Sequence, residues 1–424
     1  MQVRFPKSLK DQDLTQYLRS KLKDYAADYE SYFKENNDGT KVMLDTLPRV
    51  LLLEGIGLVT AGKTIKAVDI SADIYEHTVP TILSTARMGE YNPVSRDHLF
   101  DCEYWELEQR KLRLKKSVPG SLQGHVAIVT GGCSGIGLAT AELYIQSGAC
   151  VVVVDIRQDR VESAVKRLKE LAGGQSVVLG MSADVTDEVA MCKVVDSAVG
   201  YFGGVDILVS NAGVVVQASP GMASCARDVL EKSMNINFFS HQWITSAVVR
   251  MLFEKMCFYE RIFFDLHHLF ITIVLALKEN VHTHTHTHFI EKGTMIEQNM
   301  GGSLLYNVSK APLNPGAKLG PYCIAKAATL ALMRQYALEY GKHGIRANAV
   351  NPDRIRTNLF DMKLVEDRAK ARGLTASQYF ANNLLNKEVL AGDVAKAFLH
   401  LALSTKTSCA ILQVDGGNIA AAPR

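Results

Sequence analysis

Three groups of residues carry types and spacings that could do chemistry. The first is Thr130-Gly131-Gly132-Cys133-Ser134-Gly135-Ile136-Gly137, in which glycines recur as GxxxGxG. Glycines so placed let a dinucleotide pyrophosphate approach the backbone, and the unsatisfied N-terminus of a following helix meets its charge. Gly131, Ser134, Gly135, Ile136 and Gly137 are the candidate contacts. Asp155 stands eighteen residues after Gly137, at the end of the next apolar run. A carboxylate there would hydrogen-bond both adenosine ribose hydroxyls and repel a 2′-phosphate, favouring NAD over NADP, with Arg157 nearby pulling the other way. The second group is Tyr322 and Lys326, four apart and therefore on one face of a helix. A free phenol titrates near ~10 and is a poor base at neutral pH. A neighbouring cation stabilises the phenolate and brings it toward the working range. The third is Ser309, thirteen residues before Tyr322 at the end of a predicted strand, where strand C-termini meet a ligand crevice.

The elements that must position these groups follow from the apolar pattern. Val126–Thr130, Val151–Asp155, Ser176–Met181, Ile207–Ser210, Ser303–Ser309 and Ala347–Asn351 read as short strands with helix-length segments between them. That alternation gives a parallel sheet covered by helices on both faces, an α/β, doubly wound fold. Ahead of it the texture differs. Asp11 to Glu35 carries Leu14, Leu18, Leu22, Tyr25, Tyr29 and Phe33 at helical spacing, and Asn36 to Gly39 ends it as a turn. Arg49 to Leu53 reads as a buried strand, a helix starts near Thr64, and a second helix spans Asp101 to Leu114. The basic linker Lys115 to Gly120 separates the two textures, so the chain divides into residues 1–118 and residues 119–424. Residues 257–300 interrupt the rhythm of the second part. They are aromatic-rich and hold six of the twelve histidines, four of them alternating with threonine from His282 to His288. Alternation would set those four on one side of a strand and invites a metal site. A low-complexity insertion without a catalytic or metal-binding role is the plainer reading.

Composition excludes several classes. Lysine and arginine total 47 against 44 acidic residues, a net charge of +3 over 424 residues, so nucleic acid is not an expected partner. The eight cysteines lie scattered without a CxxC pair, which points to reduced thiols and a cytoplasmic setting. The longest apolar run, Leu269 to Leu277, is far short of the ~20 residues that span a bilayer, so no membrane partner is expected.

Taken together, the Thr130–Gly137 loop, Asp184-Val185, Ser210-Asn211-Ala212-Gly213, Ser309, Tyr322 with Lys326 and the terminal Val414-Asp415-Gly416-Gly417 resemble the short-chain dehydrogenase/reductase family. The resemblance implies a Rossmann-type dinucleotide site and a Tyr/Lys/Ser/Asn mechanism. It identifies the asparagine as Asn237, in Ile236-Asn237-Phe238-Phe239-Ser240, with Asn235 as the competing choice. It places Asp184 and Val185 near the adenine and makes Asn211 a residue that ties the central sheet near the adenosine. Where many members carry Pro-Gly this chain has Pro352-Asp353, which brings a side chain beside the nicotinamide region. Residues 1–118 resemble the tail of a class II aldolase domain. The whole is similar to bifunctional rhamnulose-1-phosphate aldolase/short-chain dehydrogenase proteins. The aldolase chemistry needs a cluster of metal-binding histidines, and residues 1–118 hold only His77 and His98, so no aldolase activity is expected. The resemblance implies reversible hydride transfer between NAD and a small hydroxy or aldehyde substrate, lactaldehyde being one candidate, in a homodimer or homotetramer. The competing reading is a catalytically inactive dinucleotide-binding or scaffold protein disrupted by its insertion.

Overall fold

A computed structural model describes residues 1–4, 14–54, 57–114, 119–218, 221–249, 270–274, 295–298, 300–357 and 362–418. The strands among the described residues are β1 (Gln2–Val3), β2 (Val50–Leu53), β3 (Gly57–Gly62), β4 (Val126–Thr130), β5 (Cys150–Asp155), β6 (Val178–Ser182), β7 (Ile207–Ser210), β8 (Phe270–Val274), β9 (Gly302–Asn307), β10 (Ile345–Pro352) and β11 (Ile411–Val414). They belong to two compact units, Met1–Pro119 with Lys255–Glu291, and Gly120–Glu254 with Lys292–Arg424.

In the first unit the strand order is β1-β2-β3-β8, with β1 parallel to β2 and the other pairings antiparallel. Phe270–Val274, inside the segment read as an insertion, supplies an edge strand to this sheet. The remainder of that segment's low-complexity stretch, His282–His288, lies outside the described residues. In the same unit, Tyr32, Phe33, Phe100 and Tyr104 form an aromatic cluster, with the Phe100 and Tyr104 rings stacked at 4.5 Å. That cluster corrects one expectation. The helix read over Asp101 to Leu114 is two helices, Arg96–Glu103 and Glu106–Leu114. The Tyr104 hydroxyl lies 2.7 Å from that of Tyr29 and accepts from the Leu44 backbone at 3.2 Å, and the chain turns at Tyr104 to put it there. The Gln109 amide then donates to the Glu103 carbonyl that the break leaves free, at 3.0 Å.

In the second unit seven parallel strands lie in the order β11-β10-β9-β7-β4-β5-β6. The central strands are apolar on both faces because helices cover both. Val151 to Val154 and Ala127 to Val129 are fully buried. The flanking helix Gln158–Leu171 presents Val161, Ala164 and Leu168 to the sheet at helical spacing. Helix Glu188–Phe202 starts at Asp187, whose carboxylate accepts from the Val189 and Ala190 backbone, and stops at left-handed Gly203. The chain builds outward from β4 to β6 and then returns to β7, so the strand order reverses between β4 and β7. Such a reversal opens a crevice at the strand C-termini. The glycine loop, Asp155, Asn211, Ser309 and Asp353 all follow or end strands on that side. Beyond the strands read from the sequence, β11 completes the edge.

Candidate active site

The glycine loop turns directly from β4 into helix Gly135–Gln146. Gly131 and Gly135 sit at φ of +60° and +52°, where a side chain is strained. Gly137 is required for a different reason: a Cβ there would overlap the Gly131 carbonyl and press on the Asn211 amide. Helix and strand therefore meet backbone to backbone, leaving the helix N-terminus open on the crevice side. Asn211 fixes this geometry. Its amide donates to the Thr130 and Gly131 carbonyls at 2.9 and 3.3 Å, and its backbone donates to Thr130 Oγ1 at 3.0 Å. Asn307 Nδ2 donates to Asn211 Oδ1 at 2.7 Å, so the ends of β4, β7 and β9 are tied through two carboxamides.

Asp155 ends β5, buried, with one carboxylate oxygen accepting from the Arg157 backbone at 3.2 Å. The Arg157 guanidinium turns instead to Asp159, Nε to Oδ1 at 3.1 Å. Asp184 accepts from the backbone and hydroxyl of Thr186, at 2.9 and 2.8 Å, which holds the Asp184–Val185 turn at the end of β6.

Ser309, Tyr322 and Lys326 line one cavity of about 900 Å³ together with Ile136, Asn211 and Gly213. The Tyr322 phenol is hydrogen-bonded to the Ser309 hydroxyl. Asn237 lies wholly buried behind the cavity wall, in a single π turn, Asn235–Phe239, that interrupts the helical run. Its Oδ1 accepts from the Val214 backbone at 3.0 Å, and its carbonyl accepts from Thr329 Oγ1 at 2.6 Å. Between Asn237 and Lys326 stands Gly213, where a Cβ would lie 3.0 Å from Asn237 Oδ1 and 3.4 Å from Lys326 Nζ. Asn235, by contrast, is exposed. The adenosine-side residues Gly131, Ser134, Gly135, Gly137, Asp155, Asp184 and Val185 are outside this cavity's lining, at the ends of β4, β5 and β6.

The electrostatics depart from one expectation. Burial pushes the Tyr322 phenol up to about 12, and the Ser309 hydrogen bond works the other way without overcoming it. Burial also brings the Lys326 ammonium down to about 7. The lowering of the phenol expected from the four-residue spacing is not found, because desolvation dominates at both groups. Lys326 donates to the Asn307 carbonyl at 2.8 Å and lies 3.3 Å from His241 Nε2. The Cys133 thiol in the glycine loop is pushed up to about 12 by burial and is a small filler rather than a reactive group.

Sequence reasoning missed several participants. His241 is a buried core histidine on an apolar helix, and its contact with Lys326 is what no local pattern marks. Thr329 sits one turn beyond Lys326 on the same helix, and nothing in its spacing marks it. Asp353 accepts from Lys310 at 3.0 Å and from Asn418 at 2.9 Å, so the side chain in place of glycine is neutralised within the cavity wall.

Fold and site together define a dinucleotide-type α/β oxidoreductase scaffold. Residues 125–256 match the family described as short chain dehydrogenase, and residues 280–418 match that described as Enoyl-(Acyl carrier protein) reductase. Residues 1–112 match Aldolase class II, second domain. Over 421 residues the chain is 27% identical to the uncharacterized oxidoreductase YuxG of Bacillus subtilis (strain 168), covering 97% of this chain but only 54% of that protein. It is 30% identical to short chain aldehyde dehydrogenase 1 of Euphorbia lathyris, covering 70% of this chain and 88% of that one. It is 31% identical to (+)-borneol dehydrogenase 2 of Salvia officinalis, covering 71% and 92%. Levodione reductase superposes with a TM-score of 0.55 at 23% identity, over 71% of this chain and 99% of that chain. The NADH complex of 3-ketoacyl-(acyl-carrier-protein) reductase from Brucella melitensis superposes at 0.52 and 20% identity, over 70% and 98%; both share the fold. The chain belongs to the short-chain dehydrogenase family and is an oxidoreductase of that family, joined to a class II aldolase-type segment. Among the described residues no helix is long and apolar enough to cross a membrane.

Proposed function

We propose that the protein uses NAD to interconvert a small secondary alcohol or hydrated aldehyde with its oxidised form, lactaldehyde being one candidate substrate. The observation that carries the reading is the meeting of Ser309, Tyr322 and Lys326 on one cavity. The site suits a dinucleotide in three respects. The glycine cradle leaves no room for side chains at Gly137, Asp155 stands at the strand end with its own arginine turned away, and Asn307 Oδ1 is buried on the cavity wall without a protein partner. Gly131, Ser134, Gly135, Ile136 and Gly137 would hold the pyrophosphate, Asp155 the adenosine ribose, Asp184 and Val185 the adenine side, and Tyr322 and Lys326 the nicotinamide half, with Asn211 tying the sheet near the adenosine. The bound nicotinamide supplies a two-electron acceptor for the hydride that leaves the substrate carbon.

The chain's own residues handle the proton. Tyr322, as phenolate, takes the substrate hydroxyl proton. Ser309 hydrogen-bonds the substrate oxygen where charge develops and orients the phenol. Lys326, held by the Asn307 carbonyl, places its positive charge beside the phenolate. Asn237 holds the Val214 backbone and so keeps Gly213 against the lysine. Its expected part as anchor of a water leading from Lys326 to solvent belongs to the same reading. No aldolase step is assigned to residues 1–118, whose histidines are His77 and His98 alone. Residues 257–300 are given no part in the chemistry; the two family matches leave 257–279 of them uncovered. Phe239, Ile324 and Leu338 expose apolar surface on the helices around the site, which suits a homodimer or homotetramer. Purified protein assayed with small hydroxy-aldehydes and diols, with NAD and NADP side by side, tests the reading. Turnover with NAD preferred is expected; no turnover with any alcohol or aldehyde would favour the inactive scaffold.

A further inference from the structure

Helix Ser240–Val249 carries a histidine into the back of the active site. His241 is 1% exposed, with Nε2 3.3 Å from Lys326 Nζ and Nδ1 2.6 Å from Ser210 Oγ. Ser210 ends β7 and is equally buried. The three groups form a row, hydroxyl to imidazole to ammonium, inside the protein. Among the described residues no carboxylate bonds any of them. Titratable or charged side chains on the packed elements are Glu188, Cys192, Lys193, Asp196 and Tyr201 of helix Glu188–Phe202, Cys323, Arg334, Glu339 and Tyr340 of helix Gly320–Tyr340, and the three tyrosines that follow; the charge that acts on His241 is that of Lys326. Tyr306 of β9 has its ring 6.3 Å from that of His241 and donates to Thr245, Tyr336 donates to Gln242, and Tyr322 is the proposed base.

A buried lysine that changes charge needs a partner able to serve both of its forms. The ammonium has three donors and no acceptor, whereas the amine has a lone pair. A carbonyl such as that of Asn307 serves only the donors. A neutral imidazole can do either, because its single proton can sit on either nitrogen. We propose, resting on the reading of Tyr322 and Lys326 above, that His241 is a positioning residue that changes tautomer with the charge of Lys326, Ser210 serving as its second contact. With Lys326 protonated, Nε2 accepts from the ammonium and Nδ1–H donates to Ser210 Oγ. With Lys326 neutral, Nε2–H donates to the amine and Nδ1 accepts from the Ser210 hydroxyl. One proton leaves Lys326 between the two states; the histidine keeps one proton and the serine keeps one. Burial and the neighbouring Lys326 both hold the imidazole itself uncharged. Lys326 is thereby free to lend and recover a proton at the phenol without leaving an orphaned polar atom in the interior.

The test needs neither cofactor nor substrate. In ligand-free protein labelled with ¹⁵N at histidine and at lysine Nζ, the Lys326 and His241 signals are assigned by Lys326→Arg and His241→Gln. His241 is expected as the Nδ1–H form below the Lys326 midpoint and as the Nε2–H form above it. One unchanging tautomer across the whole titration overturns the proposal. A second measurement uses His241→Phe, or His241→Leu should the first not fold. Without either ring nitrogen the Lys326 midpoint should fall by about one pH unit, while His241→Gln, whose amide can turn to offer oxygen or nitrogen, should stay within about half a unit of the native midpoint. An unmoved midpoint in a folded His241→Phe or His241→Leu protein also overturns it. These readouts do not involve turnover, so they stand or fall apart from the assay of the proposed reaction.

Discussion

Tyr322 and Ser309 divide the work of the site in a way that fixes its pH behaviour. Alcohol oxidation needs the phenolate, and burial pushes that phenol up to about 12, so below that pH each step upward increases the reactive fraction. Oxidation measured as kcat/KM should therefore climb from neutral into alkaline pH, and carbonyl reduction, which needs the protonated phenol, should not. Ser309 is the group that pulls the phenol down. Ser309→Ala should displace the rising limb to higher pH and lower kcat by ~100-fold. A pH–rate profile of the variant superimposable on the native one would show that the hydroxyl has no such role. Much of this was readable in the chain, because a phenol and an ammonium four apart on a helix face one another whatever surrounds them. The burial that opposes their pairing was not, since desolvation depends on what β9, β10 and the long helix Gly320–Tyr340 bring around the side chains. His241 was hidden for the same reason: an apolar helix with one histidine looks alike whether the ring meets solvent, core or a lysine.

Among the elements, the strand-to-helix turn at Gly131–Gly137 bears the dinucleotide reading most directly. Gly137→Ala would force the chain away from the Gly131 carbonyl and the Asn211 amide that ties β4 to β7. It should lower Tm by roughly 5 °C and weaken NAD binding at least about tenfold. Gly392→Ala is the matching control, because nothing lies within 4 Å of a Cβ there and the position is inside a helix. That change should leave NAD binding alone and raise Tm slightly. Calorimetry and NAD titration of both variants distinguish a packing requirement from a general intolerance of change. The parallel strands were legible because central strands covered on both faces become continuous apolar runs. Three elements were not. The break at Tyr104 is made by an aromatic cluster assembled from distant segments, and the π turn at Asn235–Phe239 leaves the helical period around it intact. Phe270–Val274 pairs with β3, more than 200 residues earlier in the chain, and no local signal registers such a pairing.

At the scale of the molecule, the helices beside the site expose Phe239, Ile324 and Leu338, and association through them would remove that surface from water. Light scattering during size-exclusion chromatography should give two or four times the 46.6 kDa of one chain; a monomer at micromolar concentration would contradict the proposed assembly. The central claim is narrower and concerns one proton acceptor at a dinucleotide site. It is tested most directly by comparing native protein with Tyr322→Phe in two measurements on the same samples, NADH formation with an accepted alcohol and NAD affinity by titration. The phenol's loss should reduce turnover by ~1,000-fold or more while NAD affinity stays within about threefold. A Tyr322→Phe protein that turns over at close to the native rate would contradict the placement of that phenol at the reacting oxygen.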